Sequence, residues 1–327
     1  MTILVTGGAG YIGSHTVRSL RANDRKAVVL DSLEFGQRAA ISESELVVGN
    51  IRDRALVTEL CRSHHVTQVV HFAAYKAVGE SMEQPQRYWL NNVAGTVDLV
   101  EGVLAAGVRE IVFSSSCSVN GAPTILPVAE DAPVAPESVY AETKAMVERI
   151  LGWYGTTHGL RAVSLRYFNA AGASADGVIG EDWSRSQNLV PLVMKATLGK
   201  RPPVEVFGTD YPTADGTCIR DYIHVDDLAD AHIRALDYLD RGGSTTTLNV
   251  GTGVGTSVLE VIHATEHISG RMVPYTIAPR RAGDPVATYA DPTKARTMLG
   301  WAATRTLNDI IESAWRWHST HPEGFVD

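Results

Sequence analysis

Cysteine is scarce: the 327 residues hold three, Cys61, Cys117 and Cys218. Their spacing fits no metal motif and an odd number cannot pair completely, so a disulfide scaffold is excluded and a reducing compartment fits. Basic excess is missing too, with 29 Lys and Arg against 37 Asp and Glu and a formal net charge of −8. Without a basic stripe there is no counterion release to drive binding, which argues against nucleic acid as the main partner. No uninterrupted apolar run approaches a membrane span. The chain enters its first strand at once, leaving nothing for a signal peptide to be. A cytoplasmic, soluble protein is expected, with no metal, no nucleic acid and no membrane partner. Repeats, low-complexity segments and flexible linkers are also lacking. What remains is an ordinary globular composition, 44% apolar and 20% charged, long enough for one large domain or two intimate ones.

The most informative stretch is Val5-Thr6-Gly7-Gly8-Ala9-Gly10-Tyr11-Ile12-Gly13. The apolar Ile3-Leu4-Val5 reads as a buried strand, and Ile12 to Leu20 as the helix after it. Gly7, Gly10 and Gly13 shape the turn between them, with Tyr11 and Ile12 in the helix's first turn. A phosphate needs bare backbone N–H groups at a helix N-terminus, where the unpaired donors and the positive dipole end coincide. A Cβ there would forbid the backbone angles or hold the phosphate away. The spacing Gly-x-x-Gly-x-x-Gly is a variant of the dinucleotide fingerprint. A second strand, Ala27-Val28-Val29-Leu30, ends in Asp31, 18 residues beyond Gly13. A carboxylate there accepts from the adenosine ribose hydroxyls and repels a 2′-phosphate, which favours NAD over NADP.

Strands and helices alternate through the first 170 residues. Further strands are expected at 46–48, 68–72, 110–113 and 162–165, and helices from Asp53 to about His64, Pro85 to about Ala106 and Tyr140 to about His158. This alternation predicts an α/β fold with a doubly wound parallel sheet and a ligand across the strand C-terminal ends. Asp53 is expected to cap its helix. Beyond Arg166 the rhythm breaks: 170–186 and 201–219 look like loops wrapped over a ligand. A strand at 222–225 feeds a capped helix, another strand follows at 247–250, and helices run from about Val258 to Ile268 and Leu307 to His318. The second domain is thus expected to be assembled from insertions. Residues 1–169, with 220–250 returning, form the cofactor-binding unit, and 170–219 with 251–327 a smaller substrate-binding unit.

Ser114-Ser115-Ser116 follows a buried strand, and Tyr140 and Lys144 stand four apart on a helix, on one face. Tyrosine is a poor base at its free pKa near ~10. An adjacent ammonium and a positive nicotinamide ring are expected to favour the phenolate. Lys144 also suits the nicotinamide ribose hydroxyls, and Ser116 the substrate hydroxyl that Tyr140 deprotonates.

With these residues in place the chain resembles the extended short-chain dehydrogenase/reductase superfamily and, more narrowly, its UDP-glucose (UDP-galactose) 4-epimerase group, almost end to end. The matching stretches are Gly-Tyr-Ile-Gly-Ser-His at 10–15, His-Phe-Ala-Ala at 71–74, Lys-Ala-Val-Gly-Glu-Ser at 76–81 and Asn-Asn-Val at 91–93. Arg-Tyr-Phe-Asn at 166–169, Asp-Tyr-Pro-Thr at 210–213, Arg-Asp-Tyr-Ile-His-Val at 220–225 and Ala-Pro-Arg-Arg-Ala-Gly-Asp at 278–284 complete them. The resemblance implies a Rossmann fold, resident NAD and inversion of a sugar C4 through a 4-keto intermediate. It implies that Asn91 contacts the cofactor's ribose–phosphate region, that Phe72 and Ala73 lie along the pyrophosphate, and that Asn50 and Ile51 serve adenine. Lys76 would sit near the nicotinamide and the sugar, with Tyr167 and Ser114 beside the carboxamide end. For a UDP-sugar it implies Asn169, Asn188 and Leu189 at the sugar diphosphate and Phe207 flanking uracil. Arg220 and Arg281 would neutralise the diphosphate, and Asp284 would take the uridine ribose. It further implies a homodimer through the helices at 85–106 and 140–158.

The chain departs from the group in places. Asn50 replaces an aspartate, Asn120 a tyrosine and Val139 a proline. Thr288 stands where a bulky tyrosine goes with plain hexoses and a small residue with N-acetylhexosamines, so some activity on UDP-N-acetylglucosamine is expected. A uronic-acid substrate stays open. A sugar-nucleotide dehydratase would need carboxylates after Ser116, where Cys117 and Ser118 stand. A simple dehydrogenase would accumulate NADH, and a non-catalytic NAD-binding regulator would survive Tyr140→Phe.

Overall fold

The computed structural model describes residues 1–41, 44–281 and 283–325. Ala282, within the 278–284 motif, lies outside them. The chain runs β1 (Thr2–Thr6), α1 (Tyr11–Ala22), β2 (Lys26–Asp31), β3 (Glu45–Val48), α2 (Arg54–Ser63), β4 (Val66–His71) and α3 (Val78–Glu83). There follow α4 (Pro85–Tyr88), a π-helical turn (Trp89–Ala94), α5 (Gly95–Ala105), β5 (Glu110–Ser114), α6 (Val139–His158), β6 (Arg161–Tyr167) and β7 (Asn169–Ala171). The remainder is α7 (Leu189–Thr197), β8 (Val204–Phe207), β9 (Ile219–Arg220), β10 (Tyr222–His224), α8 (Val225–Asp240), β11 (Thr246–Val250) and β12 (Thr256–Ser257). Last come α9 (Val258–Ser269), β13 (Tyr275–Ala278), β14 (Ala287–Thr288), α10 (Thr293–Leu299) and α11 (Leu307–Thr320).

Seven strands form one parallel sheet in the order β11-β6-β5-β4-β1-β2-β3. Because successive side chains alternate faces, Ile3 and Val5 enter the core under α1 and α8, and Leu4 the core under α2, α5 and α6. The order reverses between β1 and β4, and that switch opens a crevice beyond the strand C-termini. Three small sheets, β10-β7, β12-β9-β14 and β13-β8, build the other side of the cleft.

Asp53 caps α2, its carboxylate accepting from Leu56 N at 3.0 Å, as expected. Two expectations need correction, and two features go unforeseen. The helix from Pro85 is not regular, because the π turn at Trp89–Ala94 inserts an extra residue. Within that turn the Asn92 side chain binds both backbone groups of Tyr75. Residues 201–219 are not all loop: Val204 and Val206 point into a core and β8 pairs with β13, a partner too distant in sequence to foresee. Helix α7 goes unforeseen after the loop at 170–186. Ala295, Leu299 and Trp301, in the tail assigned to the substrate-binding unit, pack in the core of the large sheet, which was equally unforeseen. The Trp301 indole N–H donates to Asp227 O there, at 3.0 Å.

Candidate active site

The β1–α1 turn is shaped so that side chains cannot enter it. Gly7 has φ +71°, and a Cβ there would stand 2.6 Å from Ala73 N. A Cβ on Gly13 would stand 2.3 Å from Gly7 O. Both contacts are with backbone that has nowhere to go. Gly10 is the N-cap of α1, with no side-chain cap and no acidic residue in the first turn, where Tyr11 and Ile12 lie. This helix end is therefore left to an outside anion. The Tyr11 hydroxyl is turned away and donates to Gly172 O at 2.6 Å.

Asp31 ends β2 buried, one oxygen accepting from Ala9 N at 3.0 Å and the other from Leu33 N at 2.9 Å. Burial pushes its carboxyl up from the usual carboxylate range, and the two amides pull it back. These bonds fix the direction of its remaining lone pairs. Phe72 N and Ala73 N both donate to Thr6 O, laying that backbone beside Gly7. Asn50 is exposed and its Oδ1 accepts from Arg52 N at 3.0 Å, whereas Ile51 is buried against α5. The Asn91 amide donates to Asn92 Oδ1 at 3.0 Å.

Ser116, Tyr140 and Lys144 converge at the end of β5. Ser116 Oγ accepts from Ser118 N at 3.2 Å and is hydrogen-bonded to the Ser118 hydroxyl at 2.9 Å. Tyr140 N donates to Ser81 Oγ at 3.1 Å, and Lys144 Nζ donates to Ser114 O at 2.6 Å. The Nζ lies 5.8 Å from the centre of the Tyr140 ring.

Burial governs the electrostatics of the pair. Burial drives the Tyr140 phenol well above its ordinary range, the Tyr167 hydroxyl adds to this, and the nearby Ser116 hydroxyl opposes it. Lys144 is itself brought down to about 7 by burial, with Glu148 pulling the other way. Desolvation is thus the largest influence on both groups in the protein's own field. Tyr167 is likewise pushed up to about 12 by burial, and its hydroxyl pairs with Ser114 Oγ.

Across the cleft, Arg281 stacks 4.2 Å over the Phe207 ring. Arg220 donates to Ile219 O and Pro285 O at 2.8 and 2.9 Å and meets Asp284 at 3.4 Å. Its charge reaches the Cys117 thiol, next to Ser116, which burial holds up at about 12. Thr288 pairs with Arg220 in the sheet register and is buried, its Oγ1 without a partner. Asn188 and Lys76 gather on the buried Glu181, at 3.2 and 3.6 Å, Lys76 staying largely exposed. Asn169 lies on β7 with its backbone N bonded to Asp221 O. Leu189 opens α7.

The departures find partial accounts. Asn120 ties the following loop by donating to Ala132 O and Pro133 O. Val139 is merely the first residue of α6, where Ser138 supplies the cap.

Sequence reasoning missed the supports. Glu148 lies one turn beyond Lys144, accepts from Ser115 Oγ and is held by Arg166 through two nitrogens. A carboxylate at the next helical step after Tyr140 and Lys144 was the available signal. His15, at 2.7 Å from Asp226, joins α1 to α8 and left no local signal.

Residues 3–251 match the NAD dependent epimerase/dehydratase family. A UDP-glucose 4-epimerase of Halalkalibacterium halodurans is 46% identical over 99% of this chain and 98% of its own. A UDP-glucose 4-epimerase structure from Stenotrophomonas maltophila, with bound NAD and formylated UDP-arabinopyranose, superposes with a TM-score of 0.96 at 42% identity, covering 98% of this chain and 99% of that one. One from Bifidobacterium longum, in complex with NAD+ and UDP, gives 0.93 at 39% identity over 99% of this chain and 100% of that one. With its glycine turn, buried Asp31 at the end of β2 and Ser116–Tyr140–Lys144 set on one seven-stranded parallel sheet, the chain belongs to the NAD dependent epimerase/dehydratase family.

Proposed function

We propose that this protein inverts C4 of a UDP-hexose, interconverting UDP-glucose and UDP-galactose with NAD as its resident cofactor. The uneven build of the cleft carries the reading. Its nucleotide end is clasped by Arg220, Asp284 and the Arg281–Phe207 stack. Its reacting end offers Tyr140, Ser116 and Lys144 without a comparable cage. A firm hold on the diphosphate with a loose one on the hexose is what presenting both faces of a sugar requires.

The residues present fit NAD. The bare turn at Gly7, Gly10 and Gly13 suits its pyrophosphate, and Asp31, oriented by two amides, its adenosine ribose. When bound, NAD supplies reversible two-electron acceptance at C4 and a positive ring that favours the Tyr140 phenolate. Tyr140 takes the proton from the C4 hydroxyl and later returns it to the same oxygen on the opposite face. Ser116 shares a hydrogen bond with that oxygen. Lys144, anchored on Ser114 O, holds the ribose hydroxyls and, when charged, favours the phenolate. Phe72, Ala73, Asn91, Tyr167 and Lys76 complete the cofactor wall, and Asn169, Asn188 and Leu189 the sugar-diphosphate wall. Residues 1–169 with 220–250, and 170–219 with 251–327, divide cofactor from substrate binding.

The purified protein, given UDP-galactose and no added cofactor, is expected to form UDP-glucose, read by NMR. Failure to interconvert them while carrying NAD would overturn the reading. A wider range, including UDP-N-acetylglucosamine, is favoured by the small buried Thr288 with its unpaired hydroxyl. Undetectable turnover of that sugar beside brisk UDP-galactose turnover would remove it.

No helix among the described residues is long and apolar enough to cross a membrane. Three free cysteines support work in the reducing cytosol. Trp153, 69% exposed on α6, supports a homodimer through α5 and α6.

A further inference from the structure

The sheet order puts β2 and β4 on either side of β1, so the segments leaving them flank the glycine turn. Segments 32–37 and 74–88 meet across it. One Glu34 oxygen accepts from the Tyr75 hydroxyl at 2.7 Å, and the other pairs with Arg87. Arg87 lies 4.1 Å over the Tyr75 ring and holds Glu80 with its other nitrogen. Phe35 meets Tyr75 edge-on at 5.8 Å.

The first segment is rooted at both ends of the turn. Leu33 N donates to Asp31, and Gln37 N donates to Ala9 O at 2.9 Å. The Gln37 amide continues to Asp182 at 2.7 Å, on the substrate side of the cleft. Leu33 has φ +59°, a conformation a leucine keeps only when its surroundings impose it. These bonds are numerous for a surface loop and touch no reacting group. Their position calls for a role other than chemistry.

We propose that Glu34, Tyr75 and Arg87 form a clasp that closes over the bound NAD and makes its release slow. The inference rests on the cofactor reading above. A nucleotide lying on the glycine turn with its ribose at Asp31 is bridged by the clasp. It leaves only when segments 32–37 and 74–88 part. Glu34 is 44% exposed and Arg87 29%, so salt screens the pair and loosens the clasp.

The test loads wild type, Glu34→Ala and Glu34→Ala/Arg87→Met with NAD+ and removes free nucleotide. Replacement of the bound NAD by isotopically labelled NAD+ is then followed by mass spectrometry. Arg234→Ala, which removes an exposed ion pair on α8, is the control. Both clasp variants are expected to release NAD roughly tenfold faster or more, the scale of one charge-assisted hydrogen bond, with melting temperatures near wild type. Added salt should speed release from wild type and barely from the double variant. Release at the wild-type rate from both variants would overturn the clasp while leaving the cofactor reading intact. Wild type that binds no NAD would overturn both.

Discussion

The two sides of the cleft are made by different means. The cofactor side is a shape of backbone: glycines that admit no Cβ, an uncapped helix end and Asp31 aimed by two amides. The side proposed to hold the nucleotide sugar is an assembly of side chains. Phe207 from β8, Arg220 from β9, and Arg281 and Asp284 from the turn between β13 and β14 are joined by an ion pair and a stacked guanidinium. Backbone shape tolerates nothing, because a new atom meets an atom that cannot move. Side-chain grips fail by degrees, because each carries only part of the binding energy.

Gly13→Ala should break the first side outright. Its Cβ would sit 2.3 Å from Gly7 O, so loss of bound NAD and a large drop in melting temperature are expected, by nucleotide content and thermal unfolding. A variant that keeps both would show that the turn yields. Tyr140→Phe comes next. With the proton carrier gone, kcat should fall by roughly 10² to 10⁴ while bound NAD is retained. Loss of the cofactor instead would make Tyr140 part of the first side's shape.

Arg281→Ala sharpens the contrast. It should raise KM for UDP-galactose roughly tenfold to a hundredfold and leave NAD content unchanged. An equal loss of NAD would mean that the two sides are one unit.

One effect is common to both sides. Burial holds His71 and His318 down at about 3, and His224 and His232 at about 4. Each folded value lies below the unfolded one of 6.5. Below that pH the unfolded chain takes up protons that the folded chain refuses, so stability present above about 6.5 is lost toward 4. The melting temperature should therefore fall steeply over that window. His232→Gln, behind the cofactor side, and His318→Gln, across the cleft, should each flatten the slope in part. A flat profile in wild type would contradict the buried neutral rings.

The parts legible in advance share one property: the residue and its reason are close in sequence. Gly7 to Gly13, Asp31 at a strand end, Asp53 as a cap, and Tyr140 with Lys144 on one helix face are local patterns. The π turn at Asn92, the pairing of β8 with β13, the clasp from Glu34 to Arg87 and the His15–Asp226 link are not. Each depends on a partner brought near only by folding. The balance of charge at Tyr140 was legible least. Its neighbours in sequence indicate attraction to Lys144, whereas burial, a property of the whole packed cleft, decides the direction.

Residue order by itself determined the alternation of strands and helices, the bare phosphate-binding turn and the set of groups available for proton transfer, because these follow from local periodicity and side-chain chemistry. Tertiary structure alone decided which arginine stacks on which ring, which carboxylate holds which loop and how far each buried proton is bound, because distance and desolvation exist only once the chain is packed.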